Sequence, residues 1–387
     1  MNLLLVAVPV GLAWSPCSLL LEAIQRTTGL FAPRALPEVD MSDRVVIITG
    51  ANTGVGKRTA FHLARLGAKV IMACRSLSRG EDARAALEKE LSRTRSLKTP
   101  GKNTSGETAF GDRANGNGGA GADASAGRSK AGSLQVMHLD LADLRSVRQF
   151  AKEFKEKHSR LDVLVNNAGL QGVEGNTADG LGMVFGVNFL GHFVLTSELT
   201  PLIHSTPKAR VVCLSSVMHH FGGTDWEGAA SGDGGSRSRS EPYSSSKLAM
   251  VLFAKELRRR FKASGSTATA FAVNPGSVRS DIWRTFPGWV LRPYDLLMRA
   301  LFLDTDQGSH TSVSAAALPL EELSGDYFQP YWTPFGLWLP FEMKSLFVGC
   351  APLNASVPKD EVGASRRMWT TCERIVEAAD AARGMSH

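Results

Sequence analysis

Apolar and polar positions change rhythm in a regular way along this chain. Short continuous apolar runs recur as "RVVIITG" (44–50), "KVIMACR" (69–75), "LQVMHLD" (134–140), "LDVLVNNAG" (161–169), "ARVVCLSS" (209–216) and "ATAFAVNPG" (268–276). Runs of this length without polar alternation predict strands buried on both faces. Between them the apolar spacing lengthens to three and four residues, at 55–67, 78–92, 143–158, 178–204 and 243–263, which predicts helices. Gly67 stands where the first of these would stop. The alternation predicts an α/β fold: a single Rossmann-type doubly wound parallel sheet with helices on both faces.

Several stretches break the rhythm. Between 92 and 133 only Leu97 and Phe110 are large and apolar, while Gly, Ala, Ser and Asn dominate. Such a segment buries too little surface to offset its ordering entropy, so a disordered insertion is expected. The stretch 218–241 reads as a polar loop apart from Met218, Phe221 and Trp226. Tyr327 to Phe347 holds eight of the chain's 29 aromatic residues. A strand plus packing against the domain is the plainer reading there; a substrate lid or membrane-surface patch is the other. At the N-terminus, Met1 to Leu21 carries no charge, and at 1.5 Å per residue it just spans a bilayer of about 30 Å. Arg26 and Arg34 follow, which favours keeping that side cytosolic. Pro9, Ser15, Pro16 and Ser18 weaken this segment as a helix, and a cleaved targeting peptide is the competing reading. The expected organisation is an anchor or targeting segment (1–24), a domain (43–330) interrupted by 92–133, and an aromatic-rich extension with a closing helix (331–387).

At 387 residues and 43% hydrophobic content the chain can bury a large core. Its net charge of +7 has a local source: Ser92 to Ser133 carries seven basic and three acidic residues, a net of +4. No aromatic-interleaved basic stripe accompanies it, which argues against a nucleic-acid partner. The five cysteines form no CxxC pair and lack histidine at ligand spacing, so neither a disulfide framework nor a zinc site is expected. The adjacent His219 and His220 read as loop residues, not ligands.

Three features carry chemistry. "TGANTGVG" (49–56) follows the first strand and opens the first helix. Gly50, Gly54 and Gly56, with Asn52 and Thr53 among them, form a turn that phosphate oxygens can approach at the positive end of a helix. At the end of the second strand, where an acid would hold an unphosphorylated ribose, stands Arg75 with Arg79 nearby. That favours NADP(H) over NAD(H), a solvated helix-start arginine being the duller reading. Finally, of four tyrosines only Tyr243, in "YSSSK", has a lysine four residues on, Lys247. Positions i and i+4 share a helix face. An ammonium about 4 Å from the phenol oxygen would contribute roughly 4 kcal/mol, up to about 3 pKa units. The spacing alone fits a plain helix face equally well.

Taken in order, TGxxxGxG, "NNAG" (166–169), "VNFLGHF" (187–193), "SS" (215–216), YxxxK (243–247) and "NPG" (274–276) resemble the short-chain dehydrogenase/reductase family over about 45–330. "TGANTGVGK", "ACRS", "LDLADLRSVRQF", "SSVMHH", "SKLAMVLFAKEL", "PGSVRSDI" and "RRMWTTCERI" resemble its retinol-dehydrogenase-like branch. The resemblance implies a catalytic tetrad. Tyr243 would be the general acid in reduction and the base in oxidation. Lys247 would grip the nicotinamide ribose and lower the tyrosine pKa. Ser216, the second of its pair, would polarise the substrate oxygen, with Ser215 the other candidate. Asn188 would hold a water that links Lys247 to solvent. It further implies Asp140 at the adenine end of the cofactor, and Asn166 and Val278 along the nicotinamide half. After "NPG", Ile282, Trp283, Phe286, Pro287, Trp289, Val290 and Leu291 would cover an apolar alcohol or carbonyl substrate such as a retinoid, sterol or lipid aldehyde. The branch also implies membrane attachment through the N-terminus, at the endoplasmic reticulum facing the cytosol, with a homodimer or another organelle left open. The alternative from another class is an NADP(H)-binding redox-sensing or scaffold protein without turnover.

Overall fold

Strand β1 (Val45–Thr49) is buried along its whole length. Its alternate side chains feed two separate cores: Val45 and Ile47 on one face, Val46 and Ile48 on the other. The computed structural model of the chain describes residues 36, 38–98, 132–231, 241–276, 278–279, 303–323, 325–329, 351–352 and 357–384. Around β1 the other apolar runs form β2 (Lys69–Cys74), β3 (Ser133–His138), β4 (Val163–Asn166), β5 (Arg210–Leu214) and β6 (Thr269–Val273). With β7 (Tyr327–Gln329) and β8 (Ala351–Pro352) they make one sheet in the order β3-β2-β1-β4-β5-β6-β7-β8. All neighbours run parallel except the β7–β8 pair, so an antiparallel edge is added to the predicted parallel sheet. The order reverses direction between β1 and β4, and it is outside the carboxyl ends of such a pair that α/β sheets bind ligands.

Helices α1 (Gly54–Arg65), α2 (Leu77–Lys98) and, later in the chain, α7 (Thr305–Ala317) cover one face. The other carries α3 (Leu144–Lys157), α4 (Gly191–Ser205), α6 (Glu241–Ala263) and α8 (Glu361–Ala382), with the short α5 (Trp226–Ala230) at its margin. The periodicity behind α3 is plain: Leu144, Val147, Phe150, Ala151 and Phe154 are its buried residues, and the Asp143 carboxylate accepts from Arg145 N to cap its start.

Two expectations need correction. The insertion was expected to begin at 92, but α2 runs on to Lys98. Leu91 is buried, and the Ser92 and Thr94 hydroxyls donate back to carbonyls of their own helix at Lys89 and Leu91, which keeps polar residues helical there. Residues 99–131 lie outside the described part. The stretch 218–241 is not plain loop either: Val217–Phe221 is a 3-10 turn, and the buried Trp226 stacks 6.3 Å from Phe185. His219, taken for a loop residue, is 1% exposed. Of the aromatic stretch, Tyr327 and Phe328 are buried strand residues, as the plainer reading had it; 330–350 lies outside the described residues. So do the N-terminal segment 1–24 and the apolar run Ile282–Leu291. Among the described residues no helix is long and apolar enough to cross a membrane.

The closing helix α8 is stitched to α4 and α6. Trp369 lies 5.0 Å from the Phe193 ring and 5.5 Å from Phe253, with the Arg260 guanidinium 3.8 Å over its own face. Arg148 of α3 donates to the buried Asp380 at 2.9 Å, and Arg383 pairs with Asp143 at 2.7 Å.

Candidate active site

The site is assembled from chain segments that leave the carboxyl ends of β1, β4 and β5 and meet the start of α6. After β1 the backbone turns at Gly50, whose φ of +64° is the left-handed region that glycine tolerates. A Cβ at Gly56 would stand 2.3 Å from Asn167 Nδ2 and 2.7 Å from Gly50 O, so the bare backbone there is a packing requirement. Gly54 opens α1, Thr53 takes its N-cap position in extended conformation, and no acidic residue occupies the first turn. The positive end of the helix is thus left to attract an anion.

Immediately past β4, Asn167 and Ala168 lock this loop to the rest of the site. Their amides donate to Thr49 Oγ1 at 2.9 Å each, and Asn167 Nδ2 donates to Thr49 O at 2.7 Å. Thr49 Oγ1 also lies 2.8 Å from His192 Nε2, while His192 Nδ1 faces Asn188 O at 3.0 Å. A carbonyl can only accept, so Nδ1 carries the proton and Nε2 accepts from Thr49. Burial drives the His192 pKa down to about 3, keeping the ring neutral. Thr49, Asn167 and His192 sat inside quoted motifs, yet nothing in their spacing announced this network.

Asn188 lies in a π-helical turn, Gly186–Leu190, and is fully buried. Its Oδ1 accepts from Leu170 N at 2.8 Å, and its Nδ2 donates to Leu170 O at 2.9 Å and to Ser246 Oγ at 3.2 Å. One point beside Gly169 lies 3.5 Å from Lys247 Nζ and 3.6 Å from Asn188 Oδ1, so these two groups flank the "NNAG" loop together. Single π turns of this kind recur at functional sites.

The serine pair resolves by geometry. Ser215 is buried and donates to Lys247 O at 2.8 Å, a backbone tie. Ser216 is partly exposed, its Oγ accepts from Met218 N at 3.3 Å, and its side chain lies close enough to the Tyr243 phenol to hold that group's pKa down. The structure therefore brings Asn188, Ser216, Tyr243 and Lys247 to one place beside the glycine turn. Burial pushes the Tyr243 pKa up to about 12, opposed only by the neighbouring Ser216 side chain. Lys247 Nζ donates to Leu214 O at 3.0 Å and stands 5.6 Å from the tyrosine ring centre. Its own pKa falls to about 8 through burial.

The remaining predicted residues divide. Arg75 is exposed just past β2, with Arg79 exposed in the first turns of α2. Asp140, partly exposed past β3, accepts from Ala142 N at 3.0 Å, in the same sheet edge. Asn52 is partly exposed on the glycine turn. Two do not present side chains to the cleft. Asn166 is fully buried and donates from Nδ2 to Thr196 Oγ1 at 2.9 Å, because strand alternation turns it towards α4. Val278 is 6% exposed, bridged to Leu303 and packed so close to α7 that a Cβ on Gly308 would meet its Cγ2 at 2.4 Å.

These features define a dinucleotide-binding oxidoreductase fold with a tyrosine–lysine–serine centre, and the chain belongs to the short-chain dehydrogenase family, whose model matches residues 44–100 and 114–290. Its wording places it in the retinol-dehydrogenase-like branch. It is 39% identical over 292 residues to human retinol dehydrogenase 14, covering 74% of this chain and 78% of that protein. Mouse retinol dehydrogenase 12 is 36% identical over 293 residues, covering 75% and 78%. Among solved structures, an uncharacterized protein from Mycobacterium paratuberculosis superposes with a TM-score of 0.60 at 30% identity, over 89% of this chain and 96% of that one. RhlG of Pseudomonas aeruginosa, solved with NADP, shares the fold with a TM-score of 0.52 at 19% identity, over 76% and 96%.

Proposed function

We propose that this chain is an NADP(H)-dependent oxidoreductase that interconverts an apolar alcohol and its aldehyde or ketone. The observation that carries the reading is the convergence of Ser216 and Tyr243 with Lys247 and Asn188 at the carboxyl edge of the sheet next to a glycine turn. The glycine-rich turn fits a pyrophosphate, and the exposed Arg75 and Arg79, with no acid in "MACRS", favour a 2′-phosphate. The related retinol dehydrogenases support an apolar substrate.

When bound, the reduced dinucleotide supplies a hydride to the carbonyl carbon. The protein's own part is proton handling. Ser216 Oγ donates to the substrate oxygen and fixes it within reach of the phenol. Tyr243 O–H gives its proton to that oxygen as negative charge develops, and in the reverse direction takes it back. A phenol at about 12 is a reluctant acid, so the nearby ammonium must stabilise the phenolate as it forms. Lys247 does this from an already desolvated position, where its charge acts strongly. Proton return runs from Lys247 past Asn188. Membrane attachment through the N-terminal segment, facing the cytosol, completes the reading.

Full-length protein should oxidise NADPH with all-trans-retinal or a long-chain aldehyde. Tyr243→Phe should abolish that turnover and leave NADPH binding near normal; turnover at the wild-type rate in this variant would refute the mechanism.

A further inference from the structure

Between Tyr243 and Lys247 stand Ser244, Ser245 and Ser246, exposed by only 2%, 2% and 0%. A spacer that merely carried the two catalytic side chains on one helix face could be alanine throughout, since alanine has the best helix propensity. Buried hydroxyls instead need partners, and the partners of two of these serines are catalytic segments.

Ser246 Oγ donates to Tyr243 O at 2.6 Å and accepts from Asn188 Nδ2 at 3.2 Å. The first turn of α6 is thereby fixed to the π-helical turn that carries Asn188. Ser245 Oγ accepts from Gly223 N at 3.1 Å. Gly223 ends the segment that begins at Ser216, so this bond fastens the Ser216 loop to α6. The same loop presses on the spacer from above: a Cβ at Gly222 would come within 2.6 Å of Ser244 O and 2.7 Å of Leu248 Cβ. Ser215 adds a tie from below, to Lys247 O.

We propose that the serine spacer is a hydrogen-bonded joint, in which Ser246 positions Asn188 and Ser245 positions Ser216 relative to Tyr243. Neither serine touches the reacting atoms; both are positioning residues, and the inference rests on the oxidoreductase reading. The joint explains why three independent chain segments reach one register without a metal or disulfide between them among the described residues. It also sets a division of labour. Ser246 acts through the proton path, so its loss reads in kcat. Ser245 acts through the hydroxyl that holds the substrate oxygen, so its loss reads in kcat/KM for the carbonyl.

The test uses full-length protein, NADPH and all-trans-retinal, in a preparation whose turnover Tyr243→Phe has been shown to abolish, so that the parent reading stands first. Ser246→Ala should lower kcat about tenfold, with the NADPH Kd and the melting temperature close to wild type. On an Asn188→Ala background the same change should cost less than twofold, because the contact is already gone. Ser245→Ala should lower kcat/KM for retinal about fivefold with kcat for saturating substrate less affected. Either single variant keeping its stated parameter within twofold of wild type overturns the joint, as does a Ser246→Ala loss that multiplies fully with Asn188→Ala. If Ser246→Ala does not fold, the Ser245→Ala result decides alone.

Discussion

Thr49 Oγ1 and His192 Nε2 lie 2.8 Å apart, which ties the last residue of β1 to the helix that follows Asn188. The bond requires a neutral, accepting nitrogen, and burial holds the His192 pKa down to about 3. His219, buried beside Tyr327 with Nδ1 donating to Ser216 O at 2.7 Å, is likewise held down to about 4. Both folded values lie below the ordinary value of about 6.5. Their contribution is therefore complete above pH 6.5 and lost as pH falls towards 4 and 3, by about 1.4 kcal/mol per pH unit for each ring. Urea unfolding at pH 7 and pH 5 should show the loss, and His192→Gln should shallow the slope; an unchanged slope would count against it.

Burial pushes the Lys247 pKa down to about 8 and the Tyr243 pKa up to about 12. Carbonyl reduction needs both protonated, so the lysine sets the alkaline limit. The kcat/KM for reduction, which reports the free enzyme, should fall above about pH 8 and be flat from there down to about pH 6.5. A profile level to pH 10 would show that the ammonium is not required.

Gly56 faces Asn167 Nδ2 and Gly50 O with no room for a methyl group. Gly56→Ala should destabilise the protein by about 1–3 kcal/mol through overpacking and should weaken NADPH binding, because the turn must shift to admit it. Thermal unfolding with and without NADPH separates the two effects; an unchanged ligand-induced shift would leave only the packing cost.

Arg75 is exposed at the end of β2. Arg75→Ala should raise KM for NADPH about tenfold or more, the worth of one charge-assisted phosphate contact, while KM for NADH stays near its starting value. Equal loss with both cofactors would remove the arginine from 2′-phosphate recognition.

Trp369 is 7% exposed and wedged against Phe193, Phe253 and Arg260. Trp369→Ala should cost about 3–5 kcal/mol, measured by chemical denaturation. A loss under 1 kcal/mol would mean that α8 rests only loosely on α4 and α6.

Much of the fold was legible because the strands are buried on both faces, which forces continuous apolar runs such as Val45–Thr49. The convergence of Asn188, Ser216, Tyr243 and Lys247 was legible only through the resemblance of the short motifs that hold them to those of the family. What could not be read were relationships set by three-dimensional contact. Ser215 and Ser216 differ in sequence by nothing but order, and only the course of β5 turns one to Lys247 O and the other to the phenol. The four-residue spacing said nothing of the Leu214 carbonyl to which Lys247 Nζ donates. The resemblance implied Asn166 along the nicotinamide half, whereas its side chain donates to Thr196. The antiparallel β8 is two residues long, too short for any periodicity to show.

The fastening of α8 by Arg148–Asp380 and Arg383–Asp143 has a consequence for how the molecule comes into being. The glycine turn, "NNAG", YxxxK and "NPG" are all translated before residue 357, yet Phe193 and Phe253 would meet water until α8 arrives. A premature stop in the last thirty or so codons would thus leave the whole chemical signature intact on paper while delivering to the quality-control proteases a chain with an uncovered aromatic flank.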